Sequence, residues 1–175
     1  MANGVILDTN CFSRVFNQKD MNHPQFASFL EWLCDGPGFL VYGGSRYFSE
    51  LKKAEKYLRV FSILHRYNKA RVYNKEQIDN EADRVSRMIE HQDFDDPHLA
   101  AIVIVSRSEV ICTTDARCFP FLKRKDIYDG KAKCPKFYTG ERCNNLLSSR
   151  YVGDRCSIKK EESIKLHEGI KSSVS

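Results

Sequence analysis

The sequence predicts an α/β protein, a three-layer α/β/α arrangement around a central, mostly parallel sheet, and three observations carry that expectation. Short apolar runs suited to strands buried on both faces occur at Val5-Ile6-Leu7, Phe39-Leu40-Val41-Tyr42 and Val110-Ile111-Cys112. Each run leads straight into residues that favour turns or helix starts. The segments between them place apolar residues at helical spacing, as a helix laid on a sheet requires.

The elements follow in order. Val5-Ile6-Leu7 is the first strand, closed by Asp8-Thr9-Asn10. Phe26, Phe29, Leu30 and Leu33 share one helical face, which Asp35-Gly36-Pro37-Gly38 ends. After the strand at 39–42, Gly43-Gly44 makes a tight turn and Ser45 is expected to cap a helix. Leu51, Ala54, Leu58, Phe61 and Leu64 then read as one long amphipathic stripe. Residues 70–73 suit a short strand, and Ile78, Ala82, Val85 and Ile89 a further helix. Asp96-Pro97 starts the next helix, with aspartate at the cap and proline at the first helical position ahead of the apolar stretch 99–105. The strand at 110–112 is followed by Phe119, Phe121 and Leu122 on a short helix. Pro135 opens an edge strand through Tyr138, where a ladder donor is not needed, and Asn144-Asn145-Leu146-Leu147 begins a last short helix.

A chain of 175 residues with 42% hydrophobic content has enough apolar surface for one core. A single domain over 1–150 is therefore expected. Residues 151–175 are polar and rich in Lys, Glu and Ser, with Ile158, Ile164, Leu166 and Ile170 too sparse for a strong apolar face, so a flexible or partner-binding tail is expected. No basic stretch followed by an apolar one marks a leader, and no segment reaches membrane-span length, which predicts a cytoplasmic protein with no membrane partner. The 7 cysteines, at 11, 34, 112, 118, 134, 143 and 156, are odd in number and contain no C-x-x-C pair. That spacing argues against a disulfide framework, and Cys134, Cys143 and Cys156 would join a zinc site only through a fold the sequence does not show.

The chemistry lies in four acids. Asp8 follows an apolar run directly and Asp115 follows one through Thr113-Thr114, so both are expected at strand carboxyl ends, where open parallel sheets bind ligands. Glu50 falls in the first two turns of the helix after Ser45, and Asp96 caps the helix that begins at Pro97, with Asp95 beside it as the alternative. Taken singly, such residues serve as turn, cap or solvated helix residues. Gathered at two strand ends and two helix starts, carboxylates repel one another unless a divalent cation holds them. Thr9, Asn10, Thr113 and Thr114 can orient the acids by hydrogen bonds, although local turn bonding explains them nearly as well. His98 is placed as a supporting residue, although a solvated position in the first turn suits it as well.

Charge is segregated along the chain. Residues 51–75 hold Lys52, Lys53, Lys56, Arg59, Arg66, Lys69, Arg71 and Lys75 against Glu55 alone, while 76–98 is strongly acidic. A second basic cluster, Lys123-Arg124-Lys125 with Lys131, Lys133 and Lys136, follows the last acid. Basic clusters on both sides of an acidic pocket suit a polyanion held by its phosphates, with Lys52, Lys53, Lys56, Arg59, Lys123, Arg124 and Lys125 as the nucleic-acid contacts. The same charges also suit a solvated helix face.

The segments ILDTN, SRYFSEL, DDPHLAA and CTTD, in that order across residues 5–125, resemble the PIN-domain nucleases, the family that includes VapC-type toxins. Counting back without gaps from Asp115 to the helix-borne acid of that pattern lands on Asp96, and Ala101 then falls where a small residue is usual. The resemblance implies Asp8, Glu50, Asp96 and Asp115 as an acidic site for Mg²⁺ or Mn²⁺, endoribonuclease activity leaving a 5′ phosphate and a 3′ hydroxyl, an RNA substrate, and an inhibitory partner such as an antitoxin. A homodimer is compatible with it. The chain departs from the pattern in the doubled Asp95-Asp96 and in the segment after Arg150. Two other classes stay open: a haloacid-dehalogenase-type phosphatase, which expects an acid where this chain has Asn10, and a non-catalytic nucleic-acid or protein-binding module, which has no need of the four acids.

Overall fold

The computed structural model describes residues 3–153 and 157–175; Cys156 lies outside them. Five strands, β1 (Val5–Leu7), β2 (Leu40–Tyr42), β3 (Ala70–Val72), β4 (Val110–Cys112) and β5 (Lys136–Tyr138), form one all-parallel sheet in the order β3-β2-β1-β4-β5. The three central strands are wholly buried, which is why their sequences are continuous apolar runs without alternation. At the edge, β3 alternates less strictly and leaves Arg71 and Val72 exposed.

Helices flank the sheet as α1 (Phe12–Phe16), α2 (Ala27–Cys34), α3 (Ser45–Lys53), α4 (Glu55–Arg66), α5 (Lys75–Met88), α6 (Pro97–Ser106), α7 (Phe119–Leu122) and α8 (Lys160–Val174). The three-layer α/β/α class expected from the sequence is the one observed. Helix α6 is apolar nearly all round and buried from His98 to Ile104, packed against α5 and against β1 and β2. A helix without a polar face belongs in the middle of a layer, and this one carries Asp96 at its start.

Three expectations change. The single long stripe from Leu51 to Leu64 is two helices, because the chain turns at Ala54 (φ −110°, ψ 68°). The turn shifts the inward face of α4 to Tyr57, Val60, Phe61 and Leu64, leaving Leu58 37% exposed. The segment 160–174, expected as a flexible or partner-binding tail, is the ordered helix α8 docked on α4. Its sparse apolar residues suffice because Leu166 and Ile170 fall on one face and are both buried, and Gly169 lets the backbone come close to Ile63. Asp35, at the end of α2, fixes the register by accepting from Ser163 and pairing with His167 at 2.9 Å. Ser45 is the first residue of α3 and not its cap: the cap position is Gly44, whose φ of +86° favours glycine. The orphan amide of Ser45 donates instead to Asp79 of α5 at 2.8 Å, and its hydroxyl to the other carboxylate oxygen at 2.5 Å.

Candidate functional site

Strand order sets the location. From β1 the chain adds β2 and β3 on one side, then crosses back to place β4 on the other, so the order reverses between β1 and β4. Open α/β sheets bind ligands beyond the carboxyl ends of the strands at such a point. Asp8 follows β1 directly and its amide continues the ladder, donating to the Cys112 carbonyl at 2.9 Å. Asp115 lies three residues after β4. The two strand-end aspartates thus flank the reversal.

Hydroxyl groups tie the site together. Thr113 donates to Asp8 Oδ2 at 2.7 Å, across the boundary between β4 and β1, and its oxygen accepts the Asp115 amide at 3.2 Å and Asn10 Nδ2 at 3.4 Å. Thr9 donates to Glu50 Oε2 at 3.0 Å, bringing the helix-borne acid of α3 to the loop after β1. Tyr47, on the same helix and fully buried, donates to the Leu7 carbonyl at 2.6 Å and anchors α3 beside that strand end. These long-range bonds decide for Thr9 and Thr113 between orienting the acids and bonding only within their own turns. Thr114 meets Cys11 at 4.0 Å and makes no bond to an acid among the described residues.

The electrostatics separate the adjacent pair. Asp96 is half-buried, caps α6 without using its side chain, and has its carboxyl pushed up to about 7 by burial and then by the charges of Asp8, Asp115, Glu50 and Asp95. Asp95 is exposed and lines a cavity of about 450 Å³ with Ser45, Asp83 and Pro97, a cavity that Arg46 and His98 also line. Asp8 is 5% exposed and also raised, chiefly by burial and further by Glu50, against the opposing hydrogen bond from Thr113. Asp115 goes the other way, lowered first by its hydrogen bonds to Arg117.

His98, placed beside the acids as a supporting residue, does not take the solvated position that also suited it. It is 2% exposed, neither ring nitrogen has a hydrogen-bond partner among the described residues, and Nε2 stands 3.9 Å from Glu50 Oε2. Burial pushes the imidazole down to about 4, with Glu50 opposing and Arg46 assisting, so the ring is neutral at physiological pH. A polar residue one turn into a helix became buried because α6 itself lies in the middle of a layer.

The sequence reading missed the cations of the site. Arg46 donates to Glu50 Oε1 at 2.8 Å, one turn along α3, and Arg117 grips Asp115 through both oxygens. The i to i+4 spacing of Arg46 and Glu50 was a legible signal; the pairing of Arg117 was not. The basic clusters are also less uniform than their sequence. Lys69 is completely buried and donates to the carbonyls of Gly36 at 2.7 Å and Gly38 at 3.1 Å, which removes it from any phosphate-binding face. Lys52, Lys53, Lys56 and Arg59 are exposed. In the second cluster Arg124 pairs with Asp126, Lys131 with Glu81 and Lys133 with Glu109, while Lys123 stands over the stacked rings of Phe119 and Phe137 and Lys125 is exposed.

Four carboxylates with threonine hydroxyls are hard oxygen donors, the chemistry suited to Mg²⁺ or Mn²⁺ and not to a thiolate-preferring metal. Among the described residues no three or more His, Cys, Asp or Glu side chains are drawn into a ready-made metal cage. Glu50 and Asp115 each have oxygens committed to a guanidinium. The six described cysteines are free thiols, and Cys11, Cys112 and Cys118 are packed among core residues. No helix of the described residues is long and apolar enough to cross a membrane. No protein-family model, curated protein or solved structure matches the chain.

Proposed function

We propose that the chain is a PIN-like, Mg²⁺- or Mn²⁺-dependent endoribonuclease, with Asp8, Glu50, Asp96 and Asp115 holding the cation. The observation that carries the reading is Asp96: its carboxyl is pushed to about 7 by burial together with the charges of the other three acids. Repulsion on Asp8 and Asp96, with Glu50 and Asp115 beside them at a strand-order reversal, is an arrangement that a hard cation relieves. An aspartate cap usually accepts a helix amide on its carboxylate, and the Asp96 carboxylate accepts none, the Leu99 amide going to its backbone carbonyl at 3.1 Å.

A divalent cation held by Asp8, Glu50, Asp96 and Asp115 would supply Lewis acidity toward a scissile phosphate and a more acidic water for in-line displacement of the 3′ oxygen. The chain's own residues prepare the rest. Thr113 fixes the Asp8 carboxylate and Thr9 that of Glu50, so that two acids borne on different elements face one place. Asp96 holds a proton near neutrality in the free protein and releases it when its charge is compensated. His98, neutral and buried, backs Glu50 with Nε2 3.9 Å from its Oε2. Lys52, Lys53, Lys56 and Arg59 hold the phosphates of the RNA on one side and Lys123 and Lys125 on the other, with Arg124 available after it leaves Asp126. A water nucleophile makes no use of the 2′-hydroxyl, so the chemistry does not choose between RNA and DNA, and it is the resemblance of the segments that favours RNA. The same resemblance suggests a toxin silenced by an inhibitory protein partner and a cytoplasmic setting.

The phosphatase reading is weaker because Asn10 donates its side-chain amide to Thr113 and supplies no second acid. Incubating a total RNA pool with the protein and Mg²⁺ or Mn²⁺, then mapping the new ends, tests the proposal. Discrete 5′-phosphate ends that vanish with chelator and with Asp8→Asn are expected. Absence of cleavage across targets and metals, with p-nitrophenyl phosphate turned over instead, overturns it.

A further inference from the structure

Arg117 follows Asp115 by two residues in the short turn before α7, and three of its donors fall on that one carboxylate. Its amide reaches Oδ1 at 3.1 Å, Nε reaches the same oxygen at 3.0 Å, and Nη2 reaches Oδ2 at 2.9 Å. The side chain is nevertheless 72% exposed while the carboxylate is only 21% exposed. The guanidinium therefore covers Asp115 from the solvent side, and no wall holds it there. Asp95 and Asp96 also attract it.

We propose that Arg117 is the exchangeable cation of this site: it neutralises Asp115 in the free protein, yields that carboxylate to a divalent cation, and then binds the phosphate of the RNA substrate at the scissile linkage. The inference rests on the nuclease reading above and assigns a further catalytic residue to it. A carboxylate whose two oxygens are filled by one guanidinium cannot at the same time offer them fully to Mg²⁺, so the two cations compete for Asp115. The competition is mild, because an ion pair with so exposed an arginine is screened by water, and it is therefore readily reversed. Once displaced, a planar guanidinium tethered beside the cation meets the non-bridging oxygens of a phosphate better than any other group nearby. Arg46 is not equivalent: it meets only one oxygen of its partner, Glu50, whose other oxygen accepts from Thr9 and stands 3.9 Å from His98.

The test separates the two halves and the parent reading. Mn²⁺ binding to the RNA-free protein, followed by electron paramagnetic resonance, is compared for the native chain, Arg117→Gln, Asp115→Asn and the double variant. Arg117→Gln is expected to tighten Mn²⁺ binding by about 2- to 5-fold, the range of an exposed ion pair, and to have no effect once Asp115 is already Asn. Single-turnover cleavage at saturating Mn²⁺ and RNA is then expected to fall by about 10- to 100-fold in Arg117→Gln, with partial recovery in Arg117→Lys, which keeps the charge but not the fork. Equal Mn²⁺ affinity of Arg117→Gln and the native chain overturns the exchange. Tighter Mn²⁺ with unchanged single-turnover cleavage overturns the substrate role. Native protein that binds no Mn²⁺, or binds it independently of Asp8 and Asp115, sinks the metal-nuclease reading itself.

Discussion

Asp8, buried at the end of β1 with a hydrogen bond from Thr113, and Asp96, half-buried at the start of α6 with no cap bond to its side chain, make no ion pair among the described residues, whereas Glu50 and Asp115 carry Arg46 and Arg117 on their oxygens. The first pair has raised pKa values and stores repulsion, and Asp115 is lowered and stores none. Two solutions to the same problem of gathered charge thus sit a few residues apart. The difference teaches where a cation would be felt most: binding relieves the unpaired acids and must compete for the paired ones.

The strongest way to break that comparison is to remove one acid from each side. Asp8→Asn and Asp115→Asn are each expected to reduce metal-dependent cleavage by more than about 100-fold, since both take away an oxygen donor of the site. Their stabilities should diverge. Asp8→Asn removes a buried charge and leaves the melting temperature unchanged or higher, while Asp115→Asn loses the Arg117 pairing and costs about 0–1 kcal/mol. Full activity in either variant at saturating Mg²⁺ would show that the acids are turn residues.

Proton competition sharpens it next. With Asp96 at about 7, apparent Mn²⁺ affinity should rise about tenfold per pH unit below 7 and level off above it. Asp96→Asn should weaken Mn²⁺ binding and flatten that dependence, and Asp95→Asn should do neither. The reverse ranking would move the site by one residue, to the exposed neighbour.

Stability against pH gives a smaller effect with a definite sign. The folded-state pKa of Asp96 lies above its unfolded value, so the native state binds more protons between roughly pH 4 and 7. Its contribution is therefore most favourable at low pH and is lost as pH rises through about 7. Asp96→Asn should stabilise the metal-free protein by about 1–2 kcal/mol at pH 8, after allowance for solvent screening of a half-buried group, and by nothing at pH 4. Urea unfolding at the two pH values checks it; an equal gain at both would mean that packing and not charge is relieved.

The smallest expected change lies outside the acids. Replacing Lys52, Lys53, Lys56 and Arg59 together by Ala should flatten the salt dependence of RNA binding, measured with Ca²⁺ in place of Mg²⁺, by about 0.7 log unit per lost phosphate contact. Single-turnover cleavage at saturating RNA should survive. An unchanged slope would make these residues a solvated helix face and shift the RNA path towards Lys123, Arg124 and Lys125.

Much of the fold could be read from local pattern, because a buried strand and an amphipathic helix each write their burial into consecutive residues. Val5-Ile6-Leu7, Val110-Ile111-Cys112 and Asp96-Pro97 needed no neighbour to be recognised, and the edge strand at Pro135 was legible from a missing donor. The four acids were legible as a set only through their order after strands and at helix starts. What the sequence alone determined was thus the five strands and the placing of each acid after a strand or near a helix start. Tertiary structure decided the relations: the break at Ala54, the docking of α8 through Asp35, Leu166 and Ile170, the burial of Lys69 and His98, and the grip of Arg117 on Asp115. Those depend on which distant surfaces meet. Periodicity records only that a residue faces inward, never what it finds there, and it is the partner that fixes a side chain's charge, its hydrogen bonds and its work.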